Sequence, residues 1–161
     1  MEVYIRPLIE SDALISYKWR NDPEVWKYTG NRPDILVTKE VEIKWLKNAL
    51  QSIDSKRFAI CLKNFDLYVG NIQLTHISDS SARFHIFIGE KKYWGKGIAQ
   101  KSTKLILLFA KNNLKLKNVY LYVNLHNIAA IAAYKKTGFK FAEFEKERMT
   151  IQLKNFDGED L

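Results

Sequence analysis

A single cysteine in 161 residues, Cys61, rules out a disulfide within the chain, and no grouping of Cys and His has metal-ligand spacing, so no metal is expected. Nowhere does the sequence approach the roughly 18 unbroken apolar residues that a membrane-crossing helix needs, and "MEVYIRPLIE" mixes acid and base where a signal peptide is apolar. These absences set aside a disulfide-stapled secreted fold and a membrane protein, and lead to the expectation of a cytoplasmic chain with no membrane partner. Internal repeats, low-complexity tracts and linkers are also missing. With 47% hydrophobic residues the chain reads as one domain over residues 1–161, with a core large enough to be stable unstapled. Cys61, inside the apolar run "RFAICLK", reads as a small core hydrophobe rather than a reactive thiol.

Acid is missing from one long stretch. The net charge is +8, yet residues 1–90 hold 12 Lys/Arg against 12 Asp/Glu, so the whole excess lies beyond them. Lys91 to Ala142 contains eleven Lys/Arg and no carboxylate. Such an exclusion fits a surface facing a polyanion. A basic nucleic-acid-binding module is the competing reading; it requires lysines spread over one surface rather than gathered around a phosphate-sized loop.

What is present orders itself into alternating elements. "VYIRPLI" predicts a strand, "ESDALISYKWRNDP" a helix opened by Ser11 or Asp12 and stopped at Pro23, and Thr38 a cap for a second helix, "KEVEIKWLKNALQS". "RFAICLK", "YVGNIQLTHI" and "ARFHIFIG" are three strands with short antiparallel connections. "GIAQKSTKLILLFAKNN" is a helix whose inward stripe reads as Ile98, Ala99, Ser102, Leu105, Ile106 and Phe109. A strand "NVYLYVN", a helix "NIAAIAAYKKT" closed by Gly138, and a last pair, "FKFAEFE" and "RMTIQLK", complete the order β-α-α-β-β-β-α-β-α-β-β. The class is α/β, or α+β.

Between "ARFHIFIG" and the following helix lies "KKYWGKGIAQKS". Its backbone N–H groups and the unpaired donors of the helix's first turn converge, Gly95 and Gly97 allow close approach, and the helix dipole favours negative charge there. The loop suits a phosphate group, but it lacks the glycine spacing and Lys-Ser/Thr ending of a Walker loop.

"YWGKGIA" resembles the acetyl-CoA pyrophosphate loop of the GNAT N-acetyltransferase superfamily, Gln/Arg-x-x-Gly-x-Gly/Ala, with Trp94, Gly97 and Ala99 at the marked positions. Trp94 departs from Gln/Arg, as in the branch that includes acetyltransferases of ribosomal-protein N-termini and of amino sugars. "VNLHNIAAIAAYKKTGF" resembles the second family element, and the resemblance covers the chain in element order. It implies a twisted mixed sheet of about seven strands with helices on both faces and splayed central strands, and acetyl-CoA as co-substrate. Backbone donors of Gly95, Lys96, Gly97, Ile98 and Ala99, with charge from Lys92 and Lys96, would hold the pyrophosphate. "HIFIG" would bulge away from "NVYLYVN" and free backbone groups of Phe87 and Ile88 for the pantetheine arm, and Asn127 would both contact that arm and cap its helix. Ala130 stands where many relatives have Ser.

The resemblance further implies Tyr134 as general acid, protonating the departing sulfur, where the residues alone leave core packing equally open. For the base, His85 is the best placed of three histidines; a plain strand histidine, Glu90 and a water relay remain alternatives. The acceptor is expected to meet "YKWRNDPEVWKYTG", through Trp19, Arg20, Asn21, Trp26 and Tyr28, groups suited to a sugar ring, a base or a diphosphate. The alternative there is that both tryptophans are core and Arg20 a surface charge. "WRND" resembles the amino-sugar branch. The expected partner is therefore a small-molecule amine, foremost a nucleotide-linked amino sugar, with protein N-termini and aminoglycosides as alternatives and no nucleic acid. Oligomeric state, a homodimer included, is left open.

Overall fold

The computed structural model describes residues 1–27, 35–146 and 150–155. Its elements follow the expected order: β1 (Val3–Pro7), α1 (Ala13–Arg20), α2 (Lys39–Ala49), β2 (Lys56–Leu62), β3 (Leu67–Thr75), β4 (Ser81–Ile88), α3 (Ile98–Asn112), β5 (Asn118–Asn124), α4 (Ile128–Lys136), β6 (Lys140–Glu145) and β7 (Thr150–Asn155). Short 3-10 turns, Glu10–Asp12 and Lys91–Tyr93, lead into α1 and the loop before α3. The described strands form one sheet in the order β1-β2-β3-β4-β5-β7-β6, antiparallel except where β4 meets β5.

Side-chain alternation along the strands builds two cores. Ile60 and Leu62 of β2, Ile72 and Leu74 of β3, Ala82 and Phe84 of β4, and Val119, Leu121 and Val123 of β5 pack on one face with α3 and the inner side of α4. Ala59 and Cys61, one step out of phase, pack on the opposite face with Ala13 and Trp19 of α1 and Leu46 of α2. Cys61 is fully buried, as expected of a small hydrophobe. Thr38 caps α2, its Oγ1 accepting from the Val41 N–H at 3.2 Å. Gly138, at φ 95°, takes the left-handed turn that closes α4.

Two details correct the sequence reading. The inward stripe of α3 is Ile98, Ser102, Thr103, Ile106, Leu107 and Ala110, with Ala99, Leu105 and Phe109 only partly covered. The stripe is rotated because Ser102 and Thr103 hydroxyls donate to the carbonyls of Ile98 and Ala99, at 2.8 and 2.7 Å, and so become buriable. The second correction concerns the bulge expected in "HIFIG". β3 and β4 stay in register from Thr75/Arg83 to Gly70/Ile88. The shift lies instead between β2 and β3, where Ile60 pairs with Gly70 and Cys61 with Tyr68, leaving Val69 of β3 as the extra residue. Gly70 permits the close β3–β4 pairing, since a Cβ there would fall 2.4 Å from the Phe87 carbonyl oxygen.

The splay itself is present. β4 and β5 are paired only at Ser81/Asn118, Ala82/Val119 and Arg83/Tyr120, although β4 runs on to Ile88 and β5 to Asn124. Beyond Arg83 the two strands part, leaving a gap in the middle of the sheet.

Candidate active site

The gap opens toward the glycine loop. Gly95 and Gly97 sit at φ 73° and 76°, left-handed conformations that glycine adopts without strain, and a Cβ on either would meet no atom within 4 Å. Gly97 is the N-cap of the 15-residue α3, with no side-chain cap and no acidic residue in the first turn. The first-turn N–H groups are therefore left for an outside acceptor, at the positive end of the helix dipole. Lys92 and Lys96 are exposed around this loop. Lys91 is not available in the same way, because its ammonium bridges Asp22 at 2.9 Å and Glu24 at 3.2 Å.

Trp94, 42% exposed, donates its indole N–H to the Ile88 carbonyl at 2.8 Å and so ties the loop to the end of β4. The expectation of a free Ile88 carbonyl is thereby corrected. Phe87 also departs from expectation. The Gly89 N–H bonds to the Val69 carbonyl at 2.8 Å, so by antiparallel alternation the Phe87 backbone groups turn toward Asn71 of β3. Those of Ile86 and Ile88 turn toward the gap, leaving the Ile88 N–H and both polar groups of Ile86 on its edge. Asn127 caps α4, its Oδ1 accepting from the Ala130 N–H at 3.3 Å.

Tyr134 lies at the point where the strands part. Its ring meets Phe84, the first β4 residue past the last β4–β5 pair, edge-on at 5.9 Å, and Phe139 at 5.8 Å. Burial holds its phenol well above the ordinary value, so the hydroxyl stays protonated at neutral pH. That hydroxyl has no hydrogen-bond partner among the described residues.

His85 is on the other face of β4. Its Nε2 lies 3.1 Å from Thr75 Oγ1, which also faces His76 Nδ1 at 3.1 Å. Burial first, then the charges of Arg83 and Arg57 and the neighbouring His76, push its pKa down to about 4. The ring is neutral across the physiological range, but its affinity for a proton is far below that of a free imidazole. The physical case for it as base is correspondingly weak. Glu90, the carboxylate considered beside it, accepts the Trp19 indole N–H at 3.1 Å.

The residues expected to read the acceptor divide. Trp19, 4% exposed, packs edge-on against Tyr68 and Phe87 and covers Gly89, where a Cβ would overlap its ring. Trp26 is buried against Phe87 and donates to the Trp19 carbonyl at 2.8 Å. Asn21 clamps the chain to α1, donating to the Tyr17 and Val37 carbonyls and accepting from the Val37 N–H. These three are core and loop-tying groups, which corrects their assignment to the acceptor. Tyr28 lies outside the described residues. Arg20 remains, paired with buried Glu42 at 3.3 Å and stacked 4.1 Å from the ring of Trp45.

Sequence reasoning missed the residues beside Arg20. On this face Arg57 of β2 is opposite Gln73 of β3, and Gln73 is opposite His85 of β4; one step along, Thr75 is opposite Arg83. Arg57 donates to Gln73 Oε1 at 2.6 Å. The available signal was a charged residue at an inward-alternating position of an otherwise apolar strand.

Among the described residues no helix is long and apolar enough to cross a membrane, and no cluster of three or more His, Cys, Asp or Glu could hold a metal ion. Residues 2–140 match the family model described as "Acetyltransferase (GNAT) domain". Among curated proteins, the chain is 26% identical over 152 residues to an uncharacterized protein of Methanocaldococcus jannaschii, covering 93% of this chain but only 30% of that protein's length. It is 25% identical to the acetyltransferase PseH of Campylobacter jejuni, covering 93% of this chain and 90% of the relative. It is 29% identical to the spermidine N(1)-acetyltransferase of Escherichia coli, covering 85% and 72%. Among solved structures, the spermidine N-acetyltransferase of Vibrio cholerae, in complex with CoA and spermine, superposes with a TM-score of 0.88 at 19% identity, covering 98% of this chain and 97% of that one.

Proposed function

The chain belongs to the acetyltransferase (GNAT) family, and we propose that it moves acetyl from acetyl-CoA to the primary amine of an anionic small molecule, a nucleotide-linked amino sugar. Acetyl-CoA supplies the activated acetyl thioester. In this reading the first-turn N–H groups of α3, with Gly95 to Ala99, Lys92 and Lys96, hold its pyrophosphate. The gap edge at Ile86 and Ile88 and the cap residue Asn127 accompany the pantetheine arm. The exclusion of carboxylates from Lys91 to Ala142 serves the same anion.

Chemistry follows from the groups that remain. An amine attacks only when neutral, so its proton must leave first; with His85 a weak base, that proton passes to solvent, and His85 acts as a neutral hydrogen-bonding group on the acceptor face. Tyr134, held protonated by burial and with no hydrogen-bond partner for its hydroxyl among the described residues, donates to the departing sulfur. Direct transfer is supported by Cys61, the single thiol, which is buried and whose pKa burial raises, so no cysteine is poised to carry the acetyl group.

The observation that carries the acceptor class is the charge of the α1–α2 face: Arg6, Arg20, Arg57 and Arg83 stand there against two buried carboxylates, Asp12 and Glu42, already paired to Arg6 and Arg20. A polyamine needs the reverse arrangement, carboxylates facing a cationic chain. The test is an acceptor panel with acetyl-CoA and detection of free CoA thiol: UDP- or dTDP-linked 3-amino or 4-amino deoxysugars, spermidine, an aminoglycoside, and peptides with free N-termini. A nucleotide sugar should exceed every other acceptor in kcat/KM by at least about tenfold, about 1.4 kcal/mol of transition-state binding. A preference for spermidine or peptides overturns the reading.

A further inference from the structure

Among the described residues, neither Arg57 nor Arg83 is in an ion pair. Each has a buried Nε without a hydrogen-bond partner, and among the described residues no carboxylate stands within ion-pair distance of either. Arg57 meets Gln73, lies over the Trp45 ring 5.5 Å from its centre and feels the charges of Arg20 and Asp54; Arg83 meets the ring of Tyr122 at 4.8 Å. Burial first, then Arg20, pull the Arg57 guanidinium below its ordinary pKa against the opposing charge of Asp54. Buried polar groups are as a rule matched, and leaving one unmatched destabilises the fold, a charge more than a neutral group. The apolar cover from α1 and α2 reaches Ala59 and Cys61 but not the next step along β2, so Arg57 lies at its margin under the half-exposed Trp45.

The spacing indicates what fits. β2 and β4 are two strands apart, about 10 Å, so arginines on them can converge on one extended anion but span more than a lone carboxylate. Guanidinium forks suit phosphate oxygens, and a tryptophan face suits a planar base. We propose that Arg57 and Arg83, with Trp45 beside them, form a diphosphate subsite for the acceptor, with Gln73 and His85 between the two arginines completing its floor. The subsite rests on the anionic-acceptor reading above and gives it residues: Trp45, not Trp19 or Trp26, is the ring that meets the nucleotide.

The test is calorimetry with inorganic pyrophosphate and with UDP, on protein already saturated with CoA so that the glycine loop is filled. Wild-type protein should bind one equivalent of each, UDP more tightly. Arg57→Gln and Arg83→Gln should each weaken both by at least about tenfold, Arg57→Lys should recover part of the loss, and Trp45→Leu should weaken UDP but not pyrophosphate. Unchanged CoA affinity in each variant reports intact folding, and the Arg57 pair suffices if Arg83→Gln fails to fold. No binding beside CoA, or binding that the arginine variants leave within about twofold, overturns the subsite. Acetylation of nucleotide sugars with an unchanged KM in Arg57→Gln also overturns the subsite while leaving the acceptor reading intact. Pyrophosphate binding at Arg57 without acetylation of any nucleotide sugar keeps the subsite and overturns that reading.

Discussion

The two halves of the site are made in different ways. The glycine loop and α3 offer mainly backbone donors, from residues adjacent in sequence, with lysines left exposed around them. The α1–α2 face offers side chains brought together by strand register and held by partners on other elements: Ser16 and Arg20 on Glu42, Arg6 on Asp12, Arg57 on Gln73. A backbone site tolerates changes in the side chains around it and fails when the chain conformation changes. A side-chain site depends on its counter-charges for its shape, and among the described residues two of its cations have no ion-pair partner.

The largest effect should come from the acceptor side. Glu42 is 2% exposed, accepts from Ser16 Oγ at 2.9 Å and pairs with Arg20. Glu42→Ala leaves a hydroxyl and a largely buried guanidinium without partners, and should cost about 3 kcal/mol in urea unfolding. The matching change at the loop, Lys96→Ala, should alter stability by less than about 0.5 kcal/mol. Comparable losses would mean that the loop, too, depends on side-chain charge.

Tyr134 stands between the halves and tests the chemistry they share. Tyr134→Phe keeps the contacts with Phe84 and Phe139 and removes only the hydroxyl, so kcat should fall by about 10²-fold with the CoA dissociation constant little changed. A drop in CoA affinity with kcat preserved would make the phenol a binding group instead.

For the loop, Gly97→Val should raise the CoA dissociation constant by tenfold or more while the fold survives. The cause is conformational: no atom lies within 4 Å of the added Cβ, but φ 76° is a backbone state that a β-branched residue resists. If Gly97→Val bound CoA normally, the loop would not be reading phosphate through its backbone.

The same contrast explains what the sequence could and could not reveal. The element order, the glycine loop and the Thr38 cap were legible because each is written in adjacent residues: a periodicity, a pair of glycines, a cap before a helix; the parting of β4 from β5 was expected only through the resemblance to the GNAT family. "WRND" was legible as a string but misread in part, because whether an indole faces solvent or covers Gly89 depends on a strand seventy residues away. Arg57, Gln73 and Arg83 become neighbours only through register, and the bulge at Val69 shows that register is not fixed by alternation alone. The α3 stripe rotated for a local reason that hydrophobicity conceals, a serine and a threonine satisfied by their own helix.

The smallest kinetic effect belongs to His85. A base whose pKa is about 4 is already deprotonated throughout the neutral range, so the acid limb of kcat/KM should follow the ionisation of the amine and move by less than about 0.3 of a pH unit in His85→Gln. Stability behaves differently. The folded ring binds its proton only near pH 4, while the unfolded ring does so near the ordinary 6.5, so between these values the unfolded chain holds more protons and acidification favours it. The protein should therefore be most stable above about pH 6.5 and lose up to about 3 kcal/mol from this group as pH falls toward 4. His85→Gln, which can still hydrogen-bond Thr75, should flatten that slope in urea titrations at pH 7.5 and 5.0 while leaving the kinetic limb in place. A kinetic limb that moved with the substitution would restore His85 as the base, and would show that a ligand in the gap changes the field of Arg57 and Arg83 around it.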